Sequence, residues 1–202
     1  MTTPAWFTPA IAARVPQAII VAGSAGGVEA LIKVLPGLPE GMQTPVICML
    51  HLPANRDSRL AELFAARLPV PVREAADKQA IDDGTLYFAG SGYHLSVEQD
   101  RTFSLSCEAP VHFARPAIDV LMTSAADVYG AGLMAILLTG ANHDGAAGMA
   151  RIHDRGGLTV VQDPAEAQVS TMPQRAIDLD TPDLVLPLAG IRELLQLMVE
   201  RE

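Results

Sequence analysis

Two kinds of apolar pattern alternate along the chain. Residues 18–22 are continuously apolar and rich in branched side chains, the pattern of a strand buried on both faces of a parallel sheet. After Gly27 the period changes. Val28, Leu31, Ile32 and Leu35 recur at helical spacing, and Pro36-Gly37 ends the run. Residues 45–50 predict a second short strand. Leu60, Leu63, Phe64 and Leu68 then predict an amphipathic helix, with Asp57 or Ser58 as its N-cap and Pro69 as its stop. Residues 70–74 and 85–89 read as short strands. Residues 94–97 and 102–106 flank Gln99-Asp100-Arg101 as a hairpin expected to add an antiparallel edge to the sheet. After Arg115-Pro116 comes a helix with Ile118, Leu121, Met122 and Ala125 inward, ending at Gly130. A buried strand over 133–138 follows, then a helix over 146–155 closed by Gly156-Gly157 and a strand over 158–162. Met172-Pro173 opens a short helix, and an amphipathic helix over 188–199 is the last element. Residues 1–16, with three prolines, read as a lead-in packed by Trp6 and Phe7.

This alternation predicts an α/β fold: a doubly wound, mostly parallel sheet with an antiparallel hairpin at the edge, and a ligand site beyond the carboxyl ends of the strands. Ser24, His51 and Asp144 each follow such a strand, so the topology alone would gather them at one rim. At 202 residues and 50% hydrophobic, residues 17–202 can form a full core as one domain. A net charge of -9 argues against general binding to nucleic acid or anionic membranes, which rests on basic surface. Cys48 and Cys107 form neither a disulfide framework nor a metal spacing, which fits a reducing compartment. The first residues lack the basic and apolar regions of a signal peptide, and no apolar run reaches membrane-spanning length, so the expected location is cytoplasmic.

Chemistry concentrates at Gly23-Ser24-Ala25-Gly26-Gly27, where strand passes to helix. A hydroxyl there sits beside the free N–H groups of a helix N-terminus, a setting for a nucleophile with an anion site next to it. A serine needs a base, the base needs a partner that fixes its tautomer, and the developing oxyanion needs donors. Ser24, His51 and Asp144 supply the three side chains. Simpler readings stand beside this one. Ser24 could be a small residue in a tight turn, and Ala22-Gly-Ser-Ala-Gly26 departs from the hydrolase nucleophile elbow at its first glycine. The glycine spacing does not fit a dinucleotide loop, no phosphate-loop lysine is present, and no cofactor is expected. Among the other histidines, His94, His112, His143 and His153, the competitor for His51 is His143, beside Asp144. Asp144 could also cap the helix that follows it. No metal-ligand spacing involves His143, Asp144 and His153.

Five motifs in order, Ser24-Ala-Gly-Gly27, Met49-Leu-His51-Leu-Pro53, Ala114-Arg-Pro116-Ala-Ile-Asp119-Val-Leu121, Leu138-Thr-Gly140-Ala-Asn-His-Asp144-Gly-Ala-Ala-Gly-Met149 and Met172-Pro-Gln-Arg-Ala-Ile177, together resemble the catalytic domain of the chemotaxis protein-glutamate methylesterases, the CheB family. The resemblance runs from about Gln17 onward. It implies hydrolysis of glutamyl methyl esters on a methyl-accepting chemoreceptor or similar methylated protein, with deamidation of selected glutamines as a second reaction. It places the family's serine on Ser24, its histidine on His51 and its aspartate on Asp144. Backbone N–H groups near Ala25, Gly26 and Ala141 are the expected oxyanion donors, the last because the family places a donor in that loop. Ala25 stands where the family commonly has Thr, and Gly90-Ser-Gly-Tyr-His94 replaces a segment that usually starts Pro-Gly. The family's receiver domain has no counterpart in these 202 residues, so a separate receiver is an expected partner. Two other functions stay open from the sequence: a catalytically weak binding or regulatory module of a chemosensory pathway, and a small-molecule esterase.

Overall fold

The computed structural model describes residues 3–51 and 58–199. Seven strands form one parallel sheet: β1 (Ala18–Gly23), β2 (Val46–Leu50), β3 (Val72–Glu74), β4 (Leu86–Phe88), β7 (Leu133–Leu137), β8 (Leu158–Gln162) and β9 (Leu184–Leu186). Their order is β3-β4-β2-β1-β7-β8-β9. The antiparallel hairpin, β5 (His94–Val97) with β6 (Phe103–Ser106), forms with the expected strands but as a separate two-stranded sheet. Leu95, Val97 and Phe103 of the hairpin are apolar and buried, so it packs flat on the domain instead of extending the sheet's edge.

The branched apolar strands are buried on both faces because each face is covered by helices. One face packs against α1 (Pro9–Ala12), α2 (Gly27–Val34), α3 (Leu60–Ala65) and α7 (Leu188–Val199), through Ile11, Leu31, Phe64 and Leu194 among others. The other packs against the hairpin, α4 (Ile118–Tyr129), α5 (Ala146–Asp154) and α6 (Thr171–Leu179), through Leu121, Met149 and Met172. Alternate residues of β1 serve the two layers: Ile19 and Val21 the first, Ala18, Ile20 and Ala22 the second. The lead-in joins this core, since Phe7 and Ile11 are buried and Trp6 meets Phe7 edge to face at 5.9 Å.

Two elements were not foreseen. The one-turn helix α1 opens on Thr8, whose Oγ1 accepts from the Ile11 N–H at 3.3 Å. Strand β9 has only three residues, with Val185 exposed between Leu184 and Leu186, too short for a periodic signal. Of the two expected caps for α3, Asp57 lies outside the described residues, while the Ser58 hydroxyl accepts from the Leu60 N–H at 3.4 Å. No described helix is long and apolar enough to cross a membrane.

The order of strands reverses about β1, with β2 on one side and β7 on the other, the switch point where open α/β sheets leave a crevice. Register makes that crevice level. Gly23 pairs with Leu50 and Ala22 with Leu137, so the residues that follow, Ser24, His51 and the 138–144 loop, leave the sheet side by side.

Candidate active site

The turn after β1 is held by the loop after β7. The Ser24 N–H donates to Thr139 O at 2.9 Å, and the Thr139 hydroxyl donates to Ala25 O at 2.9 Å while accepting from the Val169 N–H. Thr139 is itself buried; the sequence marks it only as a polar residue that follows a strand, within the Leu138-Thr-Gly140 motif. Gly26 then turns the chain into α2 with φ of 80°, and a Cβ there would lie 2.5 Å from the Gln168 side chain, so both conformation and space call for glycine. The backbone N–H groups of Ala25, Gly26 and Ala141 make no hydrogen bond among the described residues, as an anion site requires. Ala141 lines the cleft described below, whereas Ala25 and Gly26 are not among its lining residues.

His51 and Asp144 are joined directly. The imidazole Nε2–H donates to Asp144 Oδ2 at 2.8 Å, with the His51 side chain mostly buried and Asp144 fully buried. The same carboxylate accepts from the Ile118 N–H at 2.6 Å and the Asp119 N–H at 2.9 Å, so Asp144 closes the N-terminus of α4. The simpler reading of Asp144, as a cap of the helix that follows it, is thereby corrected. That helix, α5, is served by Asp119, whose Oδ1 accepts from the Gly145 N–H at 2.9 Å and the Gly148 N–H at 2.7 Å. The exchange depends on α4 and α5 lying very close: a Cβ on Gly148 would meet the Met122 Cβ at 2.5 Å. Burial works against a charge on Asp144, but the His51 hydrogen bond and the Asp119 and Ile118 N–H groups outweigh it and hold its carboxyl below the usual range.

Ser24 and His51 open onto one cleft of about 650 Å³, lined also by Ala141, Asn142 and the segment 110–116. No hydrogen bond joins Ser24 to His51 among the described residues, an arrangement common in enzymes without substrate. On the other side of the ring, the Asn142 amide nitrogen donates to His51 Nδ1 at 3.3 Å. The roof of the cleft is a tight turn in which Val111 and Ala114 bond each other through both backbone groups, with His112 and Phe113 at φ of 49° and 62°. Phe113 projects fully into solvent. Arg115 anchors the turn by donating to Cys107 O and Glu108 O at 3.0 Å each.

The remaining histidines separate clearly. His94 is a structural residue: it is buried, its Nδ1 accepts from the Ala117 N–H at 3.2 Å and its Nε2 donates to Ala109 O at 3.1 Å, which staples both ends of the roof segment to the hairpin. His143, the sequence competitor for the base, is exposed and does not line the cleft. His153 pairs with Asp180 at 2.7 Å on the surface. Candidate ligand atoms of His112, Asp119 and Asp144 lie within 4.8 Å of one another, but helix N–H groups and His51 already claim both carboxylates. Asp119, Asn142, His112 and Phe113 were missed; Asp119 alone offered a signal, as an acidic residue in a first helical turn.

Residues 19–195 match the family model for the CheB methylesterase. The chain belongs to the CheB methylesterase family. A relative from Leptospira interrogans is 41% identical over 178 residues, spanning 88% of this chain and 92% of its own length. Relatives from Clostridium acetobutylicum and Hahella chejuensis, named protein-glutamate methylesterase/protein-glutamine glutaminase, are 30% and 40% identical, and the match spans about half of each, 51% and 48%. The solved CheB methylesterase catalytic domain of Thermotoga maritima superposes with a TM-score of 0.84 at 27% identity, covering 91% of this chain and 97% of that one. The family is one of hydrolases, and the parallel sheet with its separate hairpin is its catalytic-domain fold.

Proposed function

We propose that the protein hydrolyses glutamyl methyl esters on a methylated chemoreceptor in the cytoplasm, and deamidates selected glutamines there, through Ser24, His51 and Asp144. The reading rests on one observation above all: a buried, ionised carboxylate bonded to a histidine that shares a cleft with a serine at the N-terminus of a helix. Ser24 Oγ attacks the ester carbonyl carbon as its proton passes to His51, and Asp144 stabilises the imidazolium that forms. In this reading the oxyanion is received by backbone N–H groups of Ala25, Gly26 and Ala141, none of which has another hydrogen-bond acceptor among the described residues. Collapse of the tetrahedral intermediate expels methoxide, which takes the proton from His51 and leaves as methanol. Water, deprotonated by the same ring, then attacks the acyl-enzyme and releases the glutamate carboxylate with Ser24 restored. With a glutamine side chain the leaving group is ammonia and the remaining steps are the same.

The test is methanol release from a methylated chemoreceptor. Ser24→Ala should lower it by about 10⁶-fold, to the level left by binding alone. Retained release in that variant, or none in the unaltered protein, would remove the assignment. Failure of a serine-reactive phosphonate to label Ser24 would favour the regulatory-module reading.

A further inference from the structure

His51 offers two ring nitrogens, and both are engaged. Nε2 carries its proton toward Asp144 Oδ2 at 2.8 Å, so in the neutral ring Nδ1 holds the single lone pair able to accept a proton. That lone pair is already occupied. The Asn142 side-chain amide sits 3.3 Å from Nδ1, and the orientation of the amide is set independently, because its Oδ1 accepts from the Asp144 N–H at 3.2 Å. With the oxygen turned to that N–H, the NH₂ group faces the ring and donates. The Ser24 hydroxyl lines the same cleft as Asn142 and makes no hydrogen bond to the ring among the described residues.

We propose that Asn142 is a positioning residue that caps the base nitrogen of His51 in the resting protein and competes with the Ser24 hydroxyl for it. The inference rests on Ser24 and His51 acting as nucleophile and base. A lone pair in the ring plane accepts one good hydrogen bond, so Ser24 is activated only when the amide lets go. Asn142 borders the cleft, and an ester carbonyl entering beside Ser24 offers the freed N–H another acceptor. Nucleophile activation is thereby tied to occupancy of the cleft. Ser24 Oγ–H then gives its proton to Nδ1 as the Oγ–C bond forms and the carbonyl π pair moves onto oxygen, while the Nε2 proton stays on the ring, hydrogen-bonded to Asp144.

The probe is a serine-reactive phosphonate, with labelling of Ser24 followed by mass spectrometry in the full chain and with Ser24→Ala as the blank. Asn142→Ala should label roughly threefold to tenfold faster than the unaltered protein, the factor expected for removing one neutral hydrogen bond from the resting state. Asn142→Asp, of the same shape, has no N–H to donate; its carboxylate draws a proton onto Nδ1 and so removes the base lone pair, and this variant should label more slowly than the unaltered protein. A second readout needs no chemistry at Ser24. In ¹⁵N-histidine NMR the His51 Nδ1 resonance should be that of an unprotonated nitrogen and should move in Asn142→Ala as its hydrogen bond is lost. Equal or slower labelling of Asn142→Ala overturns the proposal, and so does faster labelling with an unmoved Nδ1 resonance. Absence of label in every variant would instead sink the nucleophile assignment and the competition with it.

Discussion

The N-termini of α4 and α5 are built alike and do different things. Each is closed by a buried aspartate from the other helix's side: Asp144 accepts from Ile118 and Asp119, and Asp119 accepts from Gly145 and Gly148. Each carboxylate has one further partner, a histidine. For Asp144 it is His51, mostly buried at 2.8 Å; for Asp119 it is His112, half exposed at 3.3 Å. The consequence is opposite charge behaviour. Burial raises the Asp119 carboxyl above its ordinary value, because the Gly148 and Gly145 N–H groups and a solvated His112 do not offset burial and the nearby Asp144 charge. Asp144 is held below it. Burial and capping are thus common to both aspartates. What sets the catalytic candidate apart is a mostly buried imidazole within reach.

The largest effect that would test this contrast is on rate. Asp144→Asn keeps an oxygen for the α4 N–H groups but removes the charge that fixes the His51 tautomer, and should lower kcat by about 10³- to 10⁴-fold. Asp119→Asn should change kcat by less than about tenfold. If the two variants lost activity equally, the carboxylates would form one catalytic unit and the contrast would be wrong. Next in size is stability. Asp119→Ala leaves two N–H groups at the buried start of α5 without an acceptor, at a cost of about 2 to 3 kcal/mol in urea unfolding, and Asp119→Asn should recover most of it.

The pH dependence of stability should separate the pair further. With its carboxyl lowered in the fold, Asp144 contributes stability that is present above about pH 4 and lost as pH falls through its folded value. Asp119 runs the other way, contributing fully below about pH 4 and losing that contribution as pH rises through its raised value. Unfolding midpoints of each Asn variant against the unaltered protein, from about pH 3 to pH 7, should therefore give difference curves of opposite slope. Curves of the same slope would mean that the two carboxylates titrate as one.

The convergence of the candidate triad at one rim was legible in the sequence and the capping exchange was not, for a physical reason. Ser24 and His51 each stand at the end of a strand whose apolar run marks the boundary, and a doubly wound sheet brings such ends together. Asp144 was found as a residue of the loop after β7, but its helix could not be assigned, since a cap supplied from 26 residues away leaves no local spacing. Asp119 lies between Ile118 and Val120 and reads as an ordinary first-turn acid. The roof turn gave no signal at all. Two-residue turns with both φ positive favour Asn and Gly, and here His112 and Phe113 occupy them. Asn142 was one polar residue among several in its loop, and only the position of the His51 ring gives it a role.

The smallest expected effect bears on the weaker of the two histidine partners. His112→Ala removes the imidazole beside Asp119 but leaves another non-glycine residue at φ of 49°, so the cost of the turn's backbone is unchanged and only the side chain is tested. A half-exposed pair at 3.3 Å contributes little, and midpoint stability at neutral pH should change by no more than about 0.5 kcal/mol. The charge of His112 does, however, work to lower the Asp119 carboxyl. Its removal should push that carboxyl still higher, moving the pH at which Asp119's contribution is lost upward. The same substitution in an Asp119→Asn background should leave the pH dependence untouched. A shift that survives in the double variant would mean that His112 acts on Asp144 instead, and the separation between the two helix ends would have to be redrawn.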